Sequence, residues 1–280
     1  MTTTQTGPTL DELRQAYRAA ARGDYRAGPD AAPARAGTAR GWDPAEPVTV
    51  VAGCHGGAGA SILAAAIATA HPGACRVVEG RVAAASGFCA AATAELGQSA
   101  TGWIAGARGD VRLERASGLC LHPDDVAVPD PAPNGTALTV LDLSWDPRAL
   151  THATGWLTSA LLAARTPVLV TTAAVPGMRH LEAVLHALPA GGEVVVVVRG
   201  GHRARRWPTL VEQQTGPRTR DLRQAGRVVT CPTEPQLAIT GLDTSALPGS
   251  VLAAAAHVLR LATPATHAST TNTTTQEMNR

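Results

Sequence analysis

The chain has 280 residues, 45% of them hydrophobic and only 3% aromatic, so a sizeable core can be buried and must be packed with Ala, Val and Leu. Charged residues make up 16%, below the usual ~25%, and the net charge of +2 gives no global signal for nucleic acid or an anionic membrane. All 24 residues counted as Lys plus Arg are arginines, so no lysine does chemistry anywhere in this chain.

In chain order, Thr9-Leu10-Asp11-Glu12 reads as a capping box, and Leu10, Leu13, Tyr17 and Ala20 follow at helical spacing. That short amphipathic helix either packs on its own domain or docks a partner. Gly28 to Pro47 is rich in Pro, Ala and Gly and reads as a linker. Residues 1–46 are therefore assigned to a helix and linker, residues 47–262 to one α/β domain, and residues 263–280 to a disordered Thr/Asn/Ser tail.

Within the domain, continuous apolar runs mark strands at Val48–Ala52, Arg76–Glu79, Ala137–Asp142, Pro167–Thr172, Glu193–Val198 and Arg227–Cys231. Helices are expected at Ser61–Ala68, around Ala91–Leu96, near Ala149–Ala164, at Met178–Leu188 and at Leu252–Leu261. The stretch 100–135 is poorly patterned. Strands that are unbroken Val/Leu runs, alternating with helices, imply a doubly wound, mostly parallel sheet with helices on both faces.

Cys54, Cys75, Cys89, Cys120 and Cys231 are widely spaced and include no CxxC, which argues against a disulfide framework or a zinc knuckle. No apolar leader opens the chain and no run of about 18 apolar residues occurs, so a cytoplasmic protein with no membrane span is expected.

The informative segment is Gly53-Cys54-His55-Gly56-Gly57-Ala58-Gly59-Ala60-Ser61, between the first strand and the first helix. Free backbone N–H groups and the helix dipole converge there, and glycines let the chain bend closely around an anion. The segment resembles the loop of MinD/ParA-like P-loop ATPases, Gly-Lys-Gly-Gly-x-Gly-Lys-Thr. Gly56, Gly57, Ala58 and Gly59 match it, and Ser61 falls where that family's Ser/Thr hydroxyl holds Mg²⁺. Cys54 stands for the first glycine and His55 for the signature lysine. Ala60 stands for the lysine that reaches the β- and γ-phosphates. Asp142, closing Val140-Leu141-Asp142, is similar in place to the family's metal-side aspartate.

The resemblance runs over roughly residues 48–260. It implies a site at Gly56, Gly57, Ala58, Gly59, Ala60 and Ser61 for ATP or ADP, with Mg²⁺ held by Ser61 and Asp142. The loop, Arg206-Trp207-Pro208 and Gly216-Pro217 are also similar to proteins of actinobacterial plasmids and conjugative elements. Phosphoryl transfer rests on positioning and electrostatics, and Ala60 supplies no charge. The expectation is a degenerate member that binds nucleotide without hydrolysing it, or does not bind it, and acts in positioning, partition or regulation through a protein partner or as a homodimer. One alternative is a slow ATPase using a non-lysine charge. Another is a DNA-associated accessory protein of a mobile element, contacting phosphate through Arg203, Arg205 and Arg206 in the Arg199–Arg206 patch, with Trp207 stacking on a base.

Other roles were open to the residues near the loop. Glu79 lies about 20 residues past the glycines, where a dinucleotide fold places a ribose-binding acid, but Ile62 occupies the third glycine position of that fingerprint. Otherwise Glu79 is a solvated strand-end carboxylate or the ATPase family's acidic switch position. His55 is a phosphate contact, a general acid or base, a metal ligand with Cys54, or a loop histidine with no role. Cys54, beside a helix N-terminus, is a candidate for a lowered thiol pKa. Asp146, before Pro147, suits a helix cap better than Asp142 does.

Overall fold

A computed structural model describes residues 41–82, 86–118, 120–189, 192–200 and 207–262. The helix expected from Thr9 and the Thr-rich tail lie outside these residues. Among them, nine strands form one sheet: β1 (Val48–Gly53), β2 (Cys75–Val82), β3 (Ala94–Gln98), β4 (Trp103–Arg108), β5 (Val111–Ala116), β6 (Leu138–Asp142), β7 (Val168–Thr172), β8 (Val195–Arg199) and β9 (Val228–Cys231). The helices are α1 (Ala60–Ala70), α2 (Pro147–Leu150), α3 (Trp156–Ala163), α4 (Val175–Ala187), α5 (Thr209–Gln213), α6 (Pro217–Gln224), α7 (Pro235–Thr240) and α8 (Gly249–Ala262).

The strand order is β3-β4-β5-β2-β6-β1-β7-β8-β9. All pairings from β5 to β9 are parallel, and the β3-β4 and β4-β5 pairings are antiparallel. This is the expected doubly wound, mostly parallel architecture. Alternate residues of each central strand enter two cores. Val51, Val77, Val140, Val170 and Val197 pack under α1 and α8. Ala52, Val78, Leu141, Leu169 and Val198 pack under α3 and α4. Burial on both faces explains why these strands read as unbroken apolar runs. No helix among the described residues is long and apolar enough to cross a membrane.

Three local expectations are corrected. Ala91–Leu96 is a turn running into β3, not a helix, because Thr93 N–H bonds Ala107 O and the next residues zip onto β4. The unpatterned stretch 100–135 holds β4 and β5, whose burial is shared with ion-paired Arg and Glu side chains that hide the apolar alternation. The helix expected over Ala149–Ala164 is two helices. The Asp124 carboxylate accepts from Thr154 and Gly155 N–H at 3.1 and 2.6 Å and restarts the chain as α3.

The end of the presumed linker is also part of the fold. The Trp42 and Trp156 rings meet edge-on, 5.2 Å between centroids. Glu46 reaches the buried Arg76 guanidinium at 2.9 Å. Arg76 also donates to Thr139 Oγ1 at 2.8 Å, to the Asp130 carbonyl at 2.7 Å and to Glu114 at 3.3 Å. One cation thus ties β2, β5, β6 and the segment entering β1 together at the end of the sheet opposite the glycine loop. Removing one partner of a buried pair leaves a charge without compensation. Arg76→Met should therefore lose about 3–5 kcal/mol of stability, read as a fall in the urea midpoint.

Candidate functional site

The loop from Gly53 to Ser61 leaves β1 at the carboxyl end of the parallel strands, beside the point where the chain turns from building one side of the sheet to the other. Open α/β sheets bind ligands at such a point. Gly57 and Gly59 adopt φ of 74° and 92°, values that side-chain-bearing residues rarely take. Gly59 caps α1, and no side chain caps the helix or places an acid in its first turn. Its leading N–H groups therefore face the cleft open to an anion. The cleft has a volume of about 830 Å³ and is lined by the whole loop.

Below the loop, Asp142 ends β6 and Glu79 lies beside it on β2 in direct register. Both are buried, at 0% and 1% exposure. Ser61 Oγ donates to Asp142 Oδ2 at 2.5 Å, and Ser144 N–H donates to Asp142 Oδ1 at 3.1 Å. Ser144 is held at φ 55°, a left-handed conformation costing ~1–2 kcal/mol in a non-glycine residue. There its hydroxyl also reaches Glu79 Oε1 at 3.4 Å. Glu79 Oε1 accepts from Gly87 N–H at 3.0 Å, while buried Oε2 has no hydrogen-bond partner among the described residues. Burial, then the neighbouring Asp142 charge, pushes the Glu79 carboxyl up to about 8. Burial raises Asp142 as well.

The structure thus brings Ser61 and Asp142 together as expected and adds Glu79 to them. Glu79 is neither a solvated strand end nor exposed to a ribose. Two carboxylates and a hydroxyl are hard oxygen donors of the kind Mg²⁺ takes, and the orphaned Oε2 is a donor atom with no other use. Among the described residues no group of three or more His, Cys, Asp or Glu side chains is placed to hold a metal.

Three other expectations are settled by burial and contacts. Cys54 is fully buried, and burial raises its thiol to about 12, so it is no activated nucleophile. Cys54, Cys75, Cys120 and Cys231 are free thiols. Asp146 is the α2 cap, accepting from Arg148 N–H at 2.9 Å. Trp207 is buried under the Arg223 guanidinium, 4.7 Å from its ring centroid, and offers no face to a base. Arg203, Arg205 and Arg206 lie outside the described residues.

His55 bonds Gly56 O through Nδ1 at 2.8 Å and Thr172 Oγ1 through Nε2 at 3.2 Å. His180, from α4, lies 5.6 Å from it between ring centroids. Sequence reading did not find His180, Arg81, Arg148 or the nearness of Arg199. Each lines the cleft but comes from a different element. For Arg199 a signal existed, since it closes a Val run at the carboxyl end of a buried parallel strand.

No protein-family model matches the chain, and no curated protein matches it. Among solved structures it is similar to a plasmid partition protein from Borrelia burgdorferi bound to AMPPNP, with 13% identity, 77% of this chain and 97% of that one covered, and a TM-score of 0.46. It is similar to the septum site-determining protein MinD from Pyrococcus horikoshii complexed with Mg-ADP, with 15% identity, 78% and 97% covered, and a TM-score of 0.44. The MinC:MinD cell division complex from Aquifex aeolicus gives 14% identity, 76% and 96% covered, and a TM-score of 0.47. The nucleotides and the partner belong to those proteins.

The Glu79 carboxyl makes apo stability depend on pH in a definite direction. Its folded pKa of about 8 exceeds the ordinary 4.5, so between those values the native state keeps a proton that the unfolded chain has lost. The Glu79 contribution to stability is therefore full below about pH 4.5 and falls as pH rises toward 8, with the raised Asp142 acting in the same sense. In urea titrations of the full chain in EDTA from pH 5 to 8.5, Glu79→Gln should flatten this decline and be the more stable protein at the alkaline end.

Proposed function

We propose that this chain is a degenerate MinD/ParA-like P-loop protein that binds Mg²⁺-nucleotide at the β1–α1 loop without turning it over efficiently. It acts in the cytoplasm as a positioning, partition or regulatory component, through a protein partner or a second copy of itself. Residues 47–262, with the packed segment from Trp42 to Glu46, form the nucleotide-binding domain, and the residues before and after it are appendages. The observation that carries this reading is the uncapped α1 N-terminus directly above Ser61, Asp142 and the orphaned Glu79 oxygen. An anion cradle over hard oxygen donors suits a phosphate chain carrying a divalent cation.

Each residue has a distinct part. The N–H groups of Gly57, Gly59, Ala60 and Ser61 hold phosphate oxygens, while that of Ala58 closes the loop onto the His55 carbonyl at 3.3 Å. Ser61 and Asp142 would hold Mg²⁺, which supplies charge neutralisation between phosphates. Glu79, its carboxyl raised by burial and by Asp142, would offer its orphaned oxygen as a further donor to that cation once deprotonated. Ala60 leaves the transferring phosphoryl without the lysine that lowers its barrier, which supports binding without efficient hydrolysis.

Thermal denaturation of the full chain with ATP, ADP or adenosine, with Mg²⁺ or EDTA, tests this reading. ATP or ADP with Mg²⁺ at 100 times the Kd should add about 2.7 kcal/mol, and the Mg²⁺-dependent part should vanish in Asp142→Asn. A flat response up to millimolar nucleotide removes nucleotide from the account. Hydrolysis well above a no-protein control and lost in Asp142→Ala would instead make the chain a slow ATPase.

A further inference from the structure

A phosphate loop without its lysine keeps its N–H dipoles but has no full positive charge at the phosphates, and this chain contains no lysine to lend one. Three guanidinium groups from the described residues line the cleft, those of Arg81, Arg148 and Arg199. Arg148 is spent on Asp146, with contacts of 2.6 to 3.2 Å to both carboxylate oxygens. Arg81 bonds the Ser144 carbonyl at 3.2 Å, on the carboxylate side of the cleft.

Arg199 stands differently. It ends β8, and its Cα is fixed between Thr172 of β7 and Cys231 of β9 by the sheet register. Its side chain turns back onto the glycine loop, where Nη1 donates to the Ala58 carbonyl at 3.2 Å. A Cβ on Gly59 would overlap the guanidinium, so the glycine there serves this approach as well as the positive φ. Among the described residues Arg199 makes no ion pair and no second side-chain hydrogen bond. A guanidinium carries five N–H donors, so most of them remain free above the loop.

We infer that Arg199 replaces the missing lysine: it supplies, from β8, the positive charge that holds the phosphate chain of a nucleoside polyphosphate on the loop. The assignment rests on the nucleotide reading above and says which residue makes it work. A guanidinium suits the task, because its planar fork meets two phosphate oxygens at once and it stays charged at every physiological pH. It serves binding here. Lysine at position 60 would extend from the loop itself, whereas Arg199 comes in from the side, next to Gly59.

The experiment is a set of Kd measurements on the full chain with Mg²⁺ and four ligands, namely ATP, ADP, AMP and adenosine. Arg199→Ala should weaken ATP by about tenfold to a hundredfold, the usual range for losing a hydrogen-bonded charge, with a smaller loss for ADP and none for adenosine. Arg199→Lys should recover much of the ATP affinity. Far-UV circular dichroism and the apo melting temperature of each variant confirm folding, and Arg199→Gln carries the comparison if the alanine protein does not fold. Equal losses for all four ligands place Arg199 at the nucleoside and overturn the assignment. So does an Arg199→Ala protein that binds ATP like wild type, or, where the alanine protein does not fold, an Arg199→Gln protein that does so. A wild type that binds none of the four takes down the nucleotide reading itself, and the assignment with it, an outcome distinct from the other two.

Discussion

The cleft depends on the register of three parallel strands. Because β2, β6 and β1 run side by side in step, Glu79 and Asp142 end at the same level, and the chain leaving β1 passes directly over them. Slipping β2 by one residue would turn Glu79 to the opposite face of the sheet. The carboxylates are then forced into low dielectric beside each other, which is why the pair holds a proton into the neutral range. The sheet bears that cost because both faces are covered by apolar side chains that fix the register.

Charge is the second constraint. A loop of N–H dipoles attracts an anion weakly unless a full charge stands near it. In this chain the guanidinium that reaches the loop belongs to another strand, β8, 141 residues downstream of Ala58. The site is therefore assembled from β1, β2, β6 and β8 rather than encoded in one motif. With the guanidinium supplied by β8, the loop lies beside a cation although residue 60 is alanine. The glycines serve the bend and the close approach of Arg199, and neither role needs residue 60 to be charged.

Much of this was legible in the sequence, for physical reasons that differ by element. Strands β1, β6, β7 and β8 are buried on both faces and so read as plain Val/Leu runs. Asp146 beside Pro147 announced its cap. By contrast β3, β4 and β5 were hidden: β3 is exposed throughout, half of β4 is Ala or Gly, and in β5 Arg115 stands where the alternation of Val111 and Leu113 calls for an apolar side chain. The division of α2 from α3 depends on Asp124, some 30 residues upstream, and no local pattern reports it. At the site, Ser61 and Asp142 were named from the motif, and the Cys54 expectation failed because a thiol beside a helix N-terminus can still be sealed from water. Glu79 and Arg199 are tertiary residues. Spacing placed both near the ends of strands, but only the strand order shows which ends meet.

The account's central claim is that the amides of the β1–α1 loop receive the phosphates. Backbone amide NMR of the full chain, titrated with Mg²⁺ and a non-hydrolysable ATP analogue, tests it most directly. The account predicts large saturable shifts for Gly57, Gly59, Ala60 and Ser61, with matching movement of the Arg199 side-chain N–H signals. Shifts confined to other elements, or a loop silent at millimolar ligand, would contradict it.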